Sequence, residues 1–316
     1  MSVPALFFGG DRLGAPLEVA QGKRRQARMG VAVMDIGSNS VRLLLWREDG
    51  REQLLETTRL GEGAAHGRLT EGAMERTAQA IAGFANRARE AGLPLYAFAT
   101  SAVRDAENAG ALLERVKAGC GVKIDVLSGK EEALAAYLGA VRGGSGAVID
   151  IGGNSTELAA GSGGRLERSE SLQLGAVRLQ ALYGDNRDGA LAHARACLEA
   201  DGLRGWREGE MAGVGGTITS LAAYDLGLWR YEAAKVDGHP LTLKAVRQSV
   251  ETLWSLTAEQ RARLPGISQS RAQIIHQGAL VLLAAMEALG TGRVLASPHD
   301  NLEGYARLRG LEIPAS

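Results

Sequence analysis

The sequence predicts an α/β protein of two domains, each built around a mixed sheet flanked by helices. Three observations support this class. The 316 residues exceed the usual size of one hydrophobic core. Apolar, strand-like runs alternate with helix-like segments in both halves of the chain. A glycine-rich motif occurs twice, each time after an apolar run: DIGSNSVRL at residues 35–43 and DIGGNSTEL at residues 150–158.

The first half, predicted as a domain at residues 29–143, follows a lead at residues 1–28 that we expect to be disordered. Thr70 is a suitable cap for the long helix, and Gly92 is a suitable stop. The predicted elements are strands at 31–37 and 41–46, a helix at 70–92, a strand running into a loop at 100–104, a helix at about 105–118, a strand at 122–128 and a helix at 131–141.

The second half, predicted as a domain at residues 144–316, repeats this order, and its last helix is expected to pack back on the first domain. A glycine-rich stretch, RGGSG, separates the halves. The predicted elements are a strand, glycine turn and strand over 146–161, an extended segment at 165–175, a helix near 188–200, a strand and glycine turn leading to a helix near 217, helices at 242–256 and 268–289, a strand at 293–297 and a helix near 301–309.

Charge and composition exclude several functional classes. The 36 basic and 36 acidic residues cancel, which argues against a broad surface for nucleic acid or anionic membrane. The two cysteines lack metal-ligand and redox spacing, which fits a reducing cytoplasm. The opening MSVPALFFGG lacks the basic start and sustained apolar run that are typical of a secretory signal, and no later apolar run approaches the ~18 residues of a membrane span. We therefore expect a soluble, cytoplasmic protein without nucleic-acid or membrane partners.

The repeated motif indicates a pair of phosphate-binding loops. Glycine, asparagine and serine also suit ordinary tight hairpins, but a hairpin does not require an aspartate before the turn in both copies. Consecutive backbone N–H groups in such turns bind anions, and hydroxyls add donors. An aspartate beside phosphate becomes favourable when Mg²⁺ lies between them. Asp35 and Asp150 are thus predicted to face each other across a cleft that holds a metal and a phosphate chain.

Further motifs extend the pattern along the chain, and together they resemble those of the exopolyphosphatase and guanosine pentaphosphate phosphohydrolase family. The matching segments, within residues 31–308, are DIGSNSVRLL, ATSAVRDAEN, LSGKEEALAAYLG, DIGGNSTEL, SLQLGAVRL, GVGGTITSLA, PGISQSRAQIIHQGALVL and a terminal EG. The resemblance implies a two-domain actin-like, ribonuclease H-like ATPase fold with its active site in the interdomain cleft. Because additional C-terminal helical domains are missing, the chain resembles the short form of the family.

The resemblance implies a reaction and its cofactors. The expected reaction is hydrolysis of the terminal phosphoanhydride bond of inorganic polyphosphate or guanosine pentaphosphate, with release of orthophosphate. Mg²⁺ is the expected cofactor, a monovalent cation is a further candidate, and a homodimer is suggested. A kinase of the same superfamily and a non-catalytic sensor of polyphosphate or of an alarmone nucleotide remain as alternatives.

The resemblance also assigns catalytic and metal-binding residues. The catalytic base maps to Glu132, a phosphate-binding arginine maps to Arg104, and the acids that hold the metal map to Asp35, Asp150 and Glu157. These roles are physically reasonable, since a carboxylate can take a proton from water and the arginine fork can bind two phosphate oxygens. Glu131 is assigned only to the start of its helix.

Three glycine turns are expected to bind the phosphate chain. The turn at residues 215–217 precedes a helix, which suits phosphate, although close packing against another strand would also explain it. Arg42 and Arg178 are further candidates for phosphate contact. The predicted phosphate-binding residues are Gly37, Ser38, Asn39, Ser40, Gly152, Gly153, Asn154, Ser155, Thr156, Gly215, Gly216 and Thr217.

Two departures from the family pattern stand out. Asn154 replaces a third consecutive glycine, and we expect it, like Asn39, to adopt the left-handed backbone conformation that asparagine tolerates. The C-terminal Gly-Leu-Arg-Glu-Gly motif is replaced by SPHDNLEG, in which Leu302 or a gap falls at the position of the arginine. Arg307, one turn further along, is a possible substitute, and loss of the arginine is expected to affect substrate affinity or preference.

Overall fold

Two mixed β-sheets form the centres of the two halves, as the sequence predicts. The computed structural model describes residues 30–141, 144–200, 203, 206 and 211–311. The lead predicted as disordered at residues 1–28 lies outside these residues. The predicted boundary at 143/144 falls between the last strand of the first sheet and the first strand of the second.

The first sheet contains five strands in the order β3-β2-β1-β4-β5. The central strand β1 is buried along its length, pairs antiparallel with β2 and pairs parallel with β4. Its carboxyl end, Asp35 and Ile36, is buried. The strands are β1 (Val31–Ile36), β2 (Ser40–Arg47), β3 (Gly50–Thr57), β4 (Leu95–Ala99) and β5 (Ile124–Val126).

The first and last helices of the first half lie at the predicted positions, whereas the helix predicted at 105–118 spans residues 109–120 and residues 101–104, predicted as a loop, form a short helix. The Thr70 hydroxyl accepts a hydrogen bond of 3.2 Å from the Ala73 N–H and caps the long first helix, and Gly92 follows its end with φ +68°. A 3-10 helix (Leu60–His66) follows β3. The α-helices are α1 (Glu71–Glu90), α2 (Ser101–Arg104), α3 (Ala109–Cys120) and α4 (Gly129–Val141).

The second sheet contains six strands in the order β10-β11-β9-β6-β7-β8. Its central part repeats the first sheet, because β6 pairs antiparallel with β7 and parallel with β9. The carboxyl ends of β1 and β6 thus occupy equivalent places in the two halves. The strands are β6 (Gly146–Ile151), β7 (Thr156–Ser162), β8 (Arg165–Leu172), β9 (Met211–Val214), β10 (Pro240–Thr242) and β11 (Arg293–Ala296).

Helices surround the second sheet and build the larger core. The helix predicted from residue 268 begins only at Ile275, because residues 269–274 form successive turns. The helix that follows is buried over most of its surface, as its apolar sequence predicts. The helices are α5 (Ala176–Tyr183), α6 (Arg187–Ala200), α7 (Gly215–Asp225), α8 (Ala233–Val236), α9 (Leu243–Ser255), α10 (Ala258–Arg261), α11 (Ile275–Leu289) and α12 (Asn301–Leu308).

Two helices connect the halves. Helix α4 packs on the second sheet, while α12 packs against α4 and β1. Glycines allow this close approach, since a Cβ atom on Gly304 would overlap the Ala135 carbonyl oxygen and one on Gly139 would overlap that of Asp300. The contact between α4 and α12 holds the loop that precedes α12 against the carboxyl-terminal part of α4, at Gly139.

Candidate active site in the interdomain cleft

The two glycine loops, at residues 37–40 and 152–156, close with the same hydrogen bond. The Gly37 N–H donates to the Ser40 carbonyl oxygen over 3.0 Å, and the Gly152 N–H donates to that of Ser155 over 3.0 Å. Each loop follows a strand that ends on a buried aspartate and isoleucine. The sequence repeat is therefore also a structural repeat.

The prediction that Asn39 and Asn154 adopt the left-handed conformation is wrong. Arg59, with φ 54°, is the only non-glycine residue with positive φ in the described part of the chain. The glycines of the loops serve close approach instead. A Cβ atom on Gly153 would lie 2.7 Å from the Ser38 Cβ, and one on Gly152 would lie 3.0 Å from the Ser155 carbonyl oxygen.

The second loop packs directly against the first half. The Asn154 side chain is 0% exposed, and its amide oxygen would lie 2.9 Å from a Cβ atom on Gly61. Neither polar atom of this amide has a hydrogen-bond partner in the described residues. The Thr156 hydroxyl donates to the Leu174 carbonyl oxygen over 2.6 Å, which ties the end of the loop to the segment that follows β8.

Asp35 ends β1 and is held by Arg42 from the neighbouring strand. Arg42 donates to Asp35 Oδ2 from Nε at 3.0 Å and from Nη2 at 2.5 Å, and it also pairs with Asp300. Asp35 Oδ1 is buried and has no partner among the described residues. Burial raises the pKa of Asp35, and Arg42 opposes this change. One oxygen of this carboxylate is thus left for a ligand.

Asp150 and Glu157 form the corresponding pair in the second half. Asn301 donates to Asp150 Oδ2 over 2.8 Å, and Ser171 donates to Glu157 Oε1 over 2.8 Å. Burial, with Asp300 adding to it, raises the pKa of Asp150 to about 6. Burial and the nearby carboxylates of Glu132 and Asp150 raise the pKa of Glu157 well above its usual range. Both acids bind protons readily unless a cation is near.

Glu132 lies at the start of α4 beside Arg104. Arg104 Nη1 donates to Glu132 Oε2 over 2.7 Å and to the Leu127 carbonyl oxygen over 3.0 Å. Burial raises the pKa of Glu132 to about 8, against the lowering effect of Arg104, and Asp150 and Asp35 add to the rise. The predicted base, the predicted arginine and the predicted metal-binding acids therefore belong to one buried charge cluster.

Glu131 behaves differently from its neighbour. Its carboxylate accepts hydrogen bonds from the N–H and the hydroxyl of Ser128, at 2.8 and 2.7 Å, and is exposed. It thus stabilises the first turn of α4. The structure separates the two glutamates as the sequence analysis expects.

The third glycine turn lies beneath Asp150 and Arg271. Gly215 has φ +88°, and a Cβ atom there would lie 2.5 Å from Asp150 Oδ1. A Cβ atom on Gly216 would overlap the Arg271 guanidinium. Gly215, Gly216 and Thr217 form the first turn of α7, so their N–H groups lie at a helix N-terminus near a cation.

Arg271 is a site residue that the sequence analysis missed. Burial, with a contribution from Arg42, lowers the pKa of its guanidinium to about 10. Its side chain forms no hydrogen bond or ion pair within the described ranges. A half-buried cation that has no partner among the described residues and lies next to a glycine turn is well placed to bind an anion. The sequence pattern placed Arg271 inside the helix predicted at 268–289, but residues 269–274 form turns that direct its side chain to the site.

The C-terminal motif does not bring a cation to the arginine position of the family. Leu302 is 2% exposed and packs with Val33, Phe98 and Tyr305. Asp300 and Asn301, which precede it, contact the site instead. Arg178, another candidate, donates to the Asn154 carbonyl oxygen over 2.8 Å and also bonds Gln173. The substitution by Arg307 stays a prediction.

A cavity of about 680 Å³ adjoins the first glycine loop. Asn39 and Arg59 from the first half line one side of it, and α5, α9, α10 and the start of α11 line the other. Its wall combines apolar side chains with amides and hydroxyls rather than a row of cations. The lining residues used below are Gln180, Trp254, Arg261 and His276.

The acids fit a magnesium ion that a substrate helps to hold. In the described residues, no group of three or more His, Cys, Asp and Glu side chains is placed to hold a metal ion by itself. Asp35 Oδ1 and Glu157 Oε2 are nevertheless buried oxygens that have no hydrogen-bond partner in the part of the chain that the structure describes. Proteins usually bind Mg²⁺ through one or two carboxylates, with water and substrate phosphates as the other ligands. The donor set is of that kind.

No helix within the described ranges is long and apolar enough to cross a bilayer.

Comparison with known proteins identifies the fold and the family. The model of the Ppx/GppA phosphatase family matches residues 52–305. Exopolyphosphatase 1 of Mycobacterium tuberculosis is 33% identical over 315 residues, covering 91% of this chain and 90% of that protein. Exopolyphosphatase 1 of Mycobacterium leprae is 33% identical over 91% of each chain.

Solved structures agree with this relationship. A crystal structure of an exopolyphosphatase-like protein has a TM-score of 0.79 at 27% identity, covering 89% of this chain and 99% of that one. The Aquifex aeolicus Ppx/GppA family member has a TM-score of 0.72 at 28% identity, covering 91% and 99%. The predicted class, an α/β fold in which each half is a mixed sheet flanked by helices, is confirmed and is the fold of these Ppx/GppA structures. On both sequence and structure, the chain belongs to the Ppx/GppA phosphatase family.

Proposed function

We propose that this chain removes the terminal orthophosphate of inorganic polyphosphate, and that Glu132 activates the attacking water. The observation that carries the proposal is the Arg104–Glu132 pair, joined at 2.7 Å, within the charge cluster between two glycine loops. Mycobacterial relatives at 33% identity are exopolyphosphatases, which supports polyphosphate as the substrate.

Glu132 has the properties of a general base. It is 5% exposed, and burial raises its pKa to about 8, so the carboxylate gains a proton readily near neutral pH. Proton transfer is most efficient when the pKa of the base lies near the working pH. Arg104 fixes the direction of the carboxylate and keeps part of it ionised. Glu132 can therefore orient a water molecule and accept its proton.

Cations and N–H groups hold the phosphates in this proposal. Phosphoryl transfer needs positioning and charge stabilisation more than covalent participation of the protein. Arg271 is unpaired within the described residues and stands over Gly216, while Arg104 has donors beyond those that bind Glu132. The N–H groups of the glycine loops supply further donors. The reacting phosphate would lie between these groups and Glu132.

The acidic side chains complete the site when a divalent cation is present. One or two of the acids Asp35, Asp150 and Glu157, with water and substrate phosphate, would hold Mg²⁺, which when bound neutralises phosphate oxygens in such reactions. Without a cation, burial raises the pKa of Asp150 to about 6 and that of Glu157 well above its usual range. A bound cation favours the ionised carboxylates and so lowers these pKa values.

The cavity favours guanosine pentaphosphate as a second candidate substrate. Arg261 Nη1 donates to His276 Nδ1 over 2.8 Å, and burial lowers the pKa of His276 to about 3. The imidazole is therefore neutral, and the cavity wall beside it carries the Trp254 ring with the amides of Asn39 and Gln180. An aromatic ring with neutral amide groups suits a nucleoside base better than a chain of phosphates.

The test is orthophosphate release from long-chain polyphosphate, guanosine pentaphosphate and ATP, measured side by side with Mg²⁺. We expect release from polyphosphate, and a loss of ~10²- to 10⁴-fold in Glu132→Gln, the usual range for removing a general base. Glu131→Gln is the matched control, because Glu131 is adjacent but only caps α4, and it should retain activity.

Each alternative gives a different result in the same assay. Unchanged release in folded Glu132→Gln would remove Glu132 from the mechanism. A non-catalytic sensor would bind polyphosphate or guanosine pentaphosphate without releasing orthophosphate. A kinase would consume ATP only when an acceptor is added.

A further inference from the structure

The loop before α12 contacts the acidic ends of both central strands. Asn301 Nδ2 donates to Asp150 Oδ2 over 2.8 Å at the end of β6. Asp300 forms an ion pair with Arg42, which in turn binds Asp35 at the end of β1. Two consecutive residues of one loop thus reach carboxylates that belong to different halves of the molecule.

These contacts occupy one oxygen of each carboxylate. Asp150 Oδ2 accepts from Asn301, and Asp35 Oδ2 accepts from Arg42. Asp35 Oδ1 stays without a partner in the described part of the chain. A hydrogen bond to one oxygen fixes the rotation of a carboxylate and hence the direction of the other oxygen. The loop is therefore in a position to aim both acids.

The loop is itself held firmly. Asp300 Oδ1 accepts from the Leu302 N–H over 3.0 Å and caps α12. His299 Nδ1 lies 2.7 Å from Glu303 Oε1, and Arg51 on β3 donates to that same carboxylate oxygen over 2.8 Å. The Asp300 carbonyl lies against Gly139 of α4. Anchors on the first sheet, on α12 and on α4 leave the loop little freedom.

We propose that Asp300 and Asn301 are positioning residues for the phosphate-release reaction, an inference that rests on the function proposed above. Asp300 holds Arg42 against Asp35, and Asn301 orients Asp150. Neither residue contacts the reacting water in this scheme. They set the relative placement of two carboxylates on which the binding of Mg²⁺ and phosphate depends.

The experiment uses the full chain with Asn301→Leu and Asp300→Asn. Asn301→Leu keeps the size of the side chain and removes the hydrogen bond to Asp150. Asp300→Asn keeps an oxygen that can cap α12 and removes the charge that binds Arg42. Three quantities are measured: kcat and KM for orthophosphate release from polyphosphate, Mg²⁺ affinity by calorimetry without substrate, and Tm.

We expect each variant to lose about 10- to 100-fold in kcat or in Mg²⁺ affinity, the usual effect of removing a residue that orients a ligand-binding side chain. KM for polyphosphate should change much less than kcat, because the cationic groups that bind phosphate are retained. A variant that changes Tm alone, with kcat and Mg²⁺ affinity as in the wild type, would overturn the proposal.

Asp125→Asn is the matched control, because Asp125 anchors the opposite end of α12. Tyr305 donates to Asp125 Oδ2 over 2.5 Å, and Arg309 pairs with the same oxygen. This variant should lower Tm without changing kcat or Mg²⁺ affinity. If it impaired kcat as strongly as Asn301→Leu, the effect would come from a loosened helix and the proposal would fail.

The calorimetric readout separates this inference from the proposed function. If the wild type binds Mg²⁺ but releases no orthophosphate, the proposed function fails, and the Mg²⁺ affinities of the variants still decide the role of the loop. If the wild type releases orthophosphate and the variants match it in both readouts, only the inference fails. If the wild type neither binds Mg²⁺ nor releases orthophosphate, both fail.

Discussion

The two glycine loops close with the same backbone hydrogen bond but differ in charge at equivalent positions. In each, the aspartate that ends the first strand lies directly opposite a residue of the second strand. Asp35 is paired in register with Arg42, whereas Asp150 is paired in register with Glu157. The same structural position thus carries a cation in the first half of the molecule and a second acid in the other half.

This difference changes the electrostatics of the two loops. In the first, Arg42 and Asp35 form an ion pair of 2.5 Å that is completed within the protein. Burial opposes the charge of Arg42, but Asp300 and Asp35 outweigh it and raise its pKa. In the second, two carboxylates face each other, and like charges directly opposite each other destabilise a sheet. Burial and this repulsion raise the pKa of Glu157.

The two loops have the same hydrogen bond and strand pairing, but they have different electrostatic roles. In the first loop, Arg42 on β2 neutralises Asp35, so this loop can bind a ligand without first binding a proton or a cation. The second loop lacks a counter-charge of its own and becomes favourable only when a proton or a cation is bound. Such local conflict is typical of functional sites, which exchange stability for activity.

The largest expected effect is a change of stability with opposite sign in the two loops. Arg42→Gln leaves Asp35 and Asp300 without their cation, and breaking a buried ion pair in this way costs about 3–5 kcal/mol. Glu157→Gln instead removes the repulsion and should raise the free energy of unfolding. Denaturant unfolding with EDTA measures both, and a loss of stability in Glu157→Gln would contradict the comparison.

The pH dependence of the Glu157→Gln gain follows from linkage. The pKa of Glu157 is raised in the folded state. Its contribution to the free energy of unfolding is therefore fully present below the ordinary pKa of 4.5 and is lost as the pH rises toward the folded-state pKa. Glutamine has no proton to lose. The gain of the variant over the wild type should therefore be small near pH 4 and grow toward pH 8.

The next effect concerns activity and again distinguishes the loops. Glu157→Gln should lower kcat/KM for orthophosphate release by about 10- to 100-fold, as expected for a group that binds or orients a metal, and should raise the Mg²⁺ concentration that is required. Glu167→Gln, on the exposed side of neighbouring β8, is the control with the same change of charge. Equal activity of the two variants would remove Glu157 from the site.

Much of this site was predictable because its residues stand in local patterns. Each aspartate ends an apolar strand, and Glu132 opens a helix after a serine, so the fold brings them to one cleft. Asp300 and Asn301 carried no such signal, since they reach Arg42 and Asp150 across 258 and 151 residues of sequence. Contacts of that kind depend on how α12 docks on α4, which local patterning does not encode.

The backbone of the loops shows a second limit of sequence reasoning. Glycine and asparagine suggested left-handed turns, because both residues tolerate positive φ. The glycines are required instead for space, since Ser38 of one loop lies against Gly153 of the other. A single sequence records that a residue is small, but the reason depends on the partner that approaches it.

The smallest expected effect is a shift of the pH profile, which tests whether the charge cluster acts on Glu132. A general base works when ionised, so kcat/KM should rise with pH as Glu132 loses its proton, and its pKa of about 8 sets the position of that limb without a bound cation. Arg104 lowers this pKa, so Arg104→Gln should move the limb to higher pH as well as reduce the rate. Saturating Mg²⁺ adds positive charge near Asp150 and should move the limb to lower pH in both proteins.

Measurement of kcat/KM from pH 6 to pH 10 at low and high Mg²⁺, for the wild type and for Arg104→Gln, gives four profiles. If all four rise at the same pH, the limb does not report a carboxylate that interacts with Arg104 and with the cation, and Glu132 is not the base.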